Sequence, residues 1–337
     1  MKNQSNFKYK ICIINVYLGK LPNYFSLWLK SAGFNPNIDF LLFTDDSISG
    51  AVPQNVKIEK IQLSEIKQRV ENELGFEVVL PTPYKCCDYK SVYGLIFKDY
   101  LSDYDYWGHC DLDLIWGNLE ECFEKNHLEE YDRFFYLGHL SLYRNTNKVN
   151  NYFKLSGSRD SYFDVFTTER ICGFDETLGT VQIFLKNNIP FFREKLFADI
   201  SPNHGRFMLS ENKITNRNIV NYSNQLFYWE NGRIFRTFED NGMLDQEEFA
   251  YIHFQKRPNF NVDNSIIDSS RFAITNKGFF PLNNNPSLID IKKYNPYRGA
   301  LYEKYENIKA YFKMKKMHLN TKLKYGGNYK KRNGKSY

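Results

Sequence analysis

The chain has 337 residues, 42% of them hydrophobic and 17% aromatic, enough for one large α/β core with additions or for two smaller ones. It contains no run of about 18 apolar residues, which excludes a membrane-spanning helix by composition, and its polar start, Met1–Ser5, does not resemble a signal peptide. The net charge of +6 is uneven: residues 301–337 hold eleven Lys and Arg against two acids, so this stretch carries +9 and the body before it −3. A basic tail on a slightly acidic body implies an anionic partner for the tail, and without a nucleic-acid recognition motif that partner is not expected to be DNA or RNA. The six cysteines (12, 86, 87, 110, 122 and 172) form no CxxC and no regular spacing, which suits reduced thiols in a cytosol.

In chain order, the β-branched run Tyr9–Tyr17 predicts a buried first strand. Pro22–Ala32 predicts a helix that stops at Gly33. Asp39–Thr44 predicts a second strand ending in Asp45-Asp46, and Val56–Ile61 a third. Ser64 is read as the cap of a helix closed by Gly75, with Lys67 where a capping box would place Glu or Gln. This alternation predicts an open, largely parallel sheet with helices packed on it. Pro81 and Pro83 mark a loop, and Asp88–Tyr100 reads as a helix leading into the aromatic strand around Tyr106-Trp107. Arg133–Gly138 and Leu140–Tyr143 continue the sheet, 145–180 reads as loops and short helices, and Val181–Asn187 is amphipathic. Gln225–Trp229 and Ile234–Phe238 flank Asn231-Gly232, which predicts a hairpin on a type I′ turn. Phe249–Phe254 is one more strand, ending in Gln255-Lys256-Arg257-Pro258.

Within this order one stretch carries chemistry: Tyr106-Trp107-Gly108-His109-Cys110-Asp111-Leu112-Asp113-Leu114-Ile115-Trp116-Gly117. On extended chain, Asp111 and Asp113 point to the same side. Two carboxylates held together require a proton or a cation between them. A hard ion such as Mg²⁺ or Mn²⁺ accepts oxygen ligands and leaves positions for water or phosphate. The alternative is an ordinary polar strand end. Gly108, lacking a side chain beside these carboxylates, is expected to let a ligand approach closely.

Lys85-Cys86-Cys87-Asp88-Tyr89-Lys90-Ser91-Val92-Tyr93-Gly94, the Asp111-Leu112-Asp113 stretch and Tyr251-Ile252-His253-Phe254-Gln255-Lys256-Arg257 together resemble GT-A nucleotide-sugar glycosyltransferases. The resemblance is to a bacterial family found in capsule and surface-polysaccharide clusters, and it covers roughly residues 8–260. It implies a GT-A-like open mixed sheet flanked by helices, with catalytic domain 1–260. Beyond it, 261–300 is expected to be an extension packed on that domain, and spacing and composition predict a basic amphipathic helix and a tail over 301–337, disordered from residue 320. It also implies roles. Asp111, Asp113 and His253 would hold Mn²⁺ or Mg²⁺ on the diphosphate of a nucleoside-diphosphate sugar, a UDP-sugar. Lys256 would reach that diphosphate. Asn15, Val16 and Tyr17 would line the base, Asp45 would lie near the nucleoside, and Asp88 with Lys90 near base, ribose or phosphate.

Asp175-Glu176 is the candidate for general base or acceptor binding, with a solvated loop pair as the alternative. His253 read alone is equally a satisfied core histidine. The acceptor would be a glycan or a lipid-linked sugar, placing the protein in the cytoplasm or at the inner membrane face. Leu301, Tyr305, Ile308, Phe312 and Leu319 follow helical spacing with lysines between them. Such a helix either lies on an anionic membrane, through residues 301–335, or packs as a solvated helix on the body. Competing readings are a sugar nucleotidyltransferase, which would want a Gly-rich loop after the first strand, and a non-enzymatic carbohydrate-binding protein, which leaves the carboxylate pair unexplained.

Overall fold

The computed structural model describes residues 7–211, 219–255 and 260–325. In chain order the first strands are β1 (Ile11–Tyr17), β2 (Ile38–Thr44), β3 (Val56–Lys60) and β4 (Tyr106–Cys110). There follow β5 (Leu114–Trp116), β6 (Arg133–Leu137), β7 (Leu140–Arg144), β8 (Phe191–Phe192) and β9 (Ala198–Asp199). The main sheet has the order β3-β2-β1-β4-β7-β6-β8. Its first four strands are parallel and β7 runs antiparallel to both β4 and β6, so the sheet is mixed and open. Its inner parallel strands β1, β2 and β4 are buried along almost their whole length, whereas the edge strand β3 carries exposed lysines at 57 and 60. This is the α/β architecture the sequence predicts.

β10 (Gln225–Glu230), β11 (Arg233–Asp240) and β12 (Met243–Phe249) form an antiparallel meander. The turn between β10 and β11 has φ of 46° at Asn231 and 81° at Gly232, as a type I′ turn requires. After β13 (Tyr251–His253), the strands β14 (Asn261–Val262), β15 (Arg271–Thr275) and β16 (Gly278–Pro281) extend the meander into a six-stranded sheet, in the order β12-β11-β10-β15-β16-β14. A third sheet of three short strands, β5-β13-β9, lies between the two large ones. Leu114, Trp116 and Tyr251 belong to the main core, whereas Ile115, Ile252 and Ala198 belong to the core under the meander. The small sheet thus packs one face on each.

Several expectations are corrected. The second helix spans Leu63–Leu74, and its cap is Gln62, whose N–H donates to the Glu65 carboxylate over 2.6 Å. Ser64 lies inside the helix; Gly75 closes it at φ 75° as expected. Asp88–Tyr100 is not one helix: a 3₁₀ segment over Pro83–Val92 runs into two short helices, Tyr93–Ile96 and Lys98–Leu101. Asp88 and Lys85 are buried there as a pair, an arrangement a one-sided helix would not need. The polar run Met243–Phe249 is a strand, and Phe249–Phe254 is divided at Ala250, where the chain leaves the meander for the small sheet. The C-terminal helix extends over Ala300–Tyr325, past the point at which disorder was expected; residues 326–337 lie outside the described residues. No described helix is long and apolar enough to cross a membrane.

Gly108 is needed for a different reason from the one its position suggests. A Cβ there would lie 2.8 Å from the Ser141 carbonyl oxygen and 3.1 Å from Leu142 Cγ, so the room its missing side chain leaves is filled by β7 and not by a ligand. Because the obstructing atom is backbone, Gly108→Ala is expected to cost about 1–3 kcal/mol, the range for overpacking a core. A thermal unfolding scan should show a midpoint lower by several degrees, and an unchanged midpoint would refute this close approach.

Candidate functional site

The turn after β4 carries Asp111 and Asp113. The main sheet ends at Cys110, and the chain crosses through Asp111–Asp113 to β5 of the small sheet. The two carboxylates therefore converge through a turn, not through the two-residue period of a strand. In the small sheet, His253 pairs with Leu114 on one side and with Asp199 on the other. The Phe254 N–H donates to the Asp113 carbonyl at 3.2 Å, and the Ile200 N–H to the His253 carbonyl at 2.9 Å. His253 Nε2 consequently stands 3.5 Å from Asp113 Oδ1, while Nδ1 lies 2.8 Å from Asp199 Oδ1. Ligand atoms of Asp111, Asp113 and His253 all fall within 4.8 Å of one another. The three residues expected to hold a metal do meet, and the Asp111 and Asp113 side chains are 37% and 23% exposed, so the cluster opens to solvent.

Asp199 escapes sequence reasoning, because it sits in a short stretch with no motif. Its carboxylate is held by Ser210 Oγ, by Gln255 Nε2 at 3.0 Å and by His253. Burial alone would raise its pKa, but these hydrogen bonds hold the carboxyl well below the usual range. Burial would likewise lower His253; Asp113 on one side and Asp199 on the other more than offset it and push the imidazole up to about 10. Asp199 fixes the ring so that Nδ1 faces it and Nε2 faces Asp111 and Asp113, the orientation in which a carboxylate–histidine pair presents an imidazole to a metal. His139, a weaker candidate left out of the expected metal set, lies against His253 with ring centroids 4.2 Å apart and planes inclined at 30°, and shares a hydrogen bond of 3.2 Å with the Tyr251 hydroxyl. Just before it, β6 is irregular between Phe134 and Leu137, with Phe135 at φ 61°, a strained value for a bulky residue.

Lys90 links this cluster to the candidate base. Its buried ammonium donates to Asp111 Oδ1 at 2.6 Å and to the Gly138 carbonyl at 2.9 Å, and lies 3.1 Å from Asp175 Oδ2. A Cβ on Gly138 would meet Asp175 Oδ2 at 2.4 Å and Glu176 Oε1 at 2.8 Å, so both predicted acids pack over this glycine. Glu176 is solvent-exposed and Asp175 is buried. Burial pushes the Asp175 carboxyl up to about 7, against the opposing pull of Lys90. One ammonium cannot neutralise two carboxylates, and the shorter contact assigns Lys90 to Asp111. Asp88 acts from behind. Its oxygens accept from the Cys172 N–H at 2.8 Å, the Phe174 N–H at 2.9 Å and Lys85 Nζ at 2.8 Å, which ties the Cys172–Phe174 segment in place just ahead of Asp175.

The remaining predicted residues lie around the end of β1. Asn15 is buried and its side chain donates to the Cys110 carbonyl at 2.6 Å, one residue before Asp111. Val16 and Tyr17 are half-buried at the strand end. The Tyr17 hydroxyl is pushed up by burial and by the Asp113 carboxylate. Asp45 accepts from the Gly19 N–H at 2.6 Å and so pins the loop that follows β1. Lys256 lies outside the described residues.

A family model described as a family of unknown function (DUF6625) matches residues 13–283. The chain belongs to that family. The matched span takes in all but the first two residues of β1, and the Asp111–Asp113 turn, Asp199 and His253, hence every part of the cluster. No curated protein matches the sequence. Among solved structures, the chain is similar to the galactosyltransferase LgtC in complex with donor and acceptor sugar analogues, at 10% identity over 57% of this chain and 76% of that one, with a TM-score of 0.31. It is also similar to the apo form of mouse xyloside xylosyltransferase 1, at 10% identity over 57% and 88%, again with a TM-score of 0.31.

Asp175 yields a pH test. An isolated Asp titrates near ~3.9, whereas burial raises this one to about 7. Between those values the unfolded chain has lost the proton that the folded chain keeps, so folding stability falls as pH rises through that window. Thermal midpoints of wild type should therefore decline relative to Asp175→Asn between pH 4 and 7; parallel curves for the two proteins would contradict the raised pKa.

Proposed function

We propose that this protein is a metal-dependent glycosyltransferase, moving a sugar from a nucleoside-diphosphate donor, a UDP-sugar, to a glycan or lipid-linked acceptor of a cell-surface polysaccharide. The observation that supports this reading most is the meeting of Asp111, Asp113 and His253 with Asp199 behind the imidazole. The cluster stands at the carboxyl ends of β1 and β4, which are parallel neighbours; this is the edge at which open α/β sheets bind nucleotides.

Two carboxylates and an imidazole suit Mn²⁺ or Mg²⁺ and leave coordination positions for diphosphate oxygens. Such an ion, when bound, would stabilise the negative charge that grows on the departing diphosphate. The chain's own groups supply the rest. Lys90 holds Asp111 in position from the buried side, and Tyr17 offers a ring at the base end. Asp175, with an affinity for protons raised towards neutrality, is poised to take the acceptor's proton, and exposed Glu176 is placed to bind the acceptor. Lys256 joins this proposal as a diphosphate contact.

Calorimetric titration of UDP with Mn²⁺ and with EDTA tests the reading. Binding should require the metal and fall at least ~10-fold in Asp113→Ala, which removes one of three ligands. Absence of metal-dependent nucleotide binding, with UDP, GDP and CMP each tried, would overturn it. A second variant probes the orienting carboxylate. Asp199→Asn should weaken Mn²⁺ affinity by ~10–100-fold, the usual effect of losing a histidine's outer partner, and an unchanged affinity would show that Asp199 does not set the imidazole.

A further inference from the structure

We propose that the outward face of the helix Ala300–Tyr325 is a docking surface for an anionic lipid bilayer. The helix seats on the body through a defined stripe. Glu303 pairs with the Arg206 guanidinium, and the Gly205 N–H donates to Asn307 Oδ1 at 3.1 Å. A Cβ on Gly205 would lie 2.7 Å from Glu306 Cβ, so the glycine admits the helix. Met314 is buried one stripe further along. Both acids of the helix are thereby turned towards the body, with side chains only 15% and 30% exposed.

The opposite face has the reverse composition. Leu301, Tyr305, Ile308, Phe312 and Leu319 are 86%, 56%, 47%, 63% and 56% exposed. Their spacing of four, three, four and seven places them in one stripe along the helix. Lys304, Lys313, Lys315 and Lys316 are exposed around that stripe, while the acids Glu303 and Glu306 lie on the other face. Scattered exposed apolar residues are ordinary on a protein surface. A continuous stripe that includes Phe312, rimmed by lysines, is not.

Its occupant follows from charge. A second copy of the chain would set lysine against lysine across the contact, which disfavours pairing of two such faces. A nucleic acid backbone would use the lysines but leave the apolar stripe in water. An anionic bilayer uses both: acyl chains take up the apolar stripe and acidic headgroups meet the lysines. The helix is not apolar enough to cross the bilayer, so it would lie in the interface. The segment that seats it, Gly205–Phe207, follows Asp199 by a few residues. The docking does not rest on the transferase reading.

Sedimentation of the full-length protein with vesicles of phosphatidylcholine, with and without phosphatidylglycerol, tests the proposal. Wild type should bind the anionic vesicles and be released by salt. Ile308→Asp/Phe312→Asp and Lys313→Glu/Lys315→Glu/Lys316→Glu should each reduce that binding by at least ~10-fold while leaving the thermal midpoint unchanged, because every altered side chain is exposed. Failure of wild type to bind, or equal binding by all three proteins, would overturn the proposal. So would a wild-type dimer that Ile308→Asp/Phe312→Asp turns into monomer without any effect on vesicles. Retention on DNA that only the lysine variant loses, with vesicle binding absent, would also overturn it.

Discussion

The pairing of three short strands, β9, β13 and β5, is the constraint on which the site depends. Neighbouring strands stand about 4.8 Å apart, so the register that sets His253 between Leu114 and Asp199 also sets an imidazole between two carboxylates. Asp113 is tied to the edge of this pairing by the Phe254 N–H, and Asp111 comes in through the turn that precedes β5. The small sheet is itself fixed because alternate residues enter different cores: Trp116 and Tyr251 the main one, Ile115 and Ile252 the one under the meander. A shift of one residue would exchange the two sets and turn His253 away from Asp113.

Around that frame the charged groups form a chain in which the two neighbouring carboxylates, Asp113 and Asp111, are flanked by His253 and Lys90. Asp199, His253, Asp113 and Asp111 run into Lys90, and Lys90 into Asp175. Each buried charge has a partner, as burial demands, except at the end, where Asp175 shares an ammonium that is already engaged. The carboxyl held closest to neutrality is thus the one farthest along this chain from the imidazole. A division of labour between paired carboxylates arises in this way whenever their environments push their pKa values apart.

Much of this was legible in the sequence. β1 and β2 announce themselves by apolar runs, β3 by alternation of Val56 and Ile58 with Lys57 and Glu59, β4 by its aromatic residues, and the Asn-Gly turn by its residue pair, because local chemistry decides them. Asp111, Asp113 and His253 were identifiable as a possible set, and the structure brings them together. The route differs, since the chain turns at Asp111 where extended backbone was expected. What was hidden depends on tertiary pairing. Asp199 lies in a two-residue strand whose existence follows only from β13 beside it. β12 carries Asp245, Glu247 and Glu248, a composition that reads as loop, and becomes a strand through its ladder with β11. Asp88, expected with Lys90 near base, ribose or phosphate, is instead taken up by Lys85 and the Cys172 and Phe174 N–H groups, partners that only the folded chain brings to it. Gly108 looks like room for a ligand until β7 is placed beside it.

The meander has a consequence for the cluster. Arg236 and Glu247 lie directly opposite each other in the β11–β12 register and their side chains pair across the strands. Arg233 also reaches Glu248, and Ile234 faces Phe249. From Phe249 only Ala250 intervenes before β13 begins. The ladder therefore works as a ruler: its ion pairs fix where β12 ends, and that end fixes how far His253 extends into the small sheet. A slip of two residues would carry the imidazole about 7 Å along its strand, out of reach of both carboxylates. An arginine and a glutamate on a distant hairpin thus help determine whether the cluster exists at all.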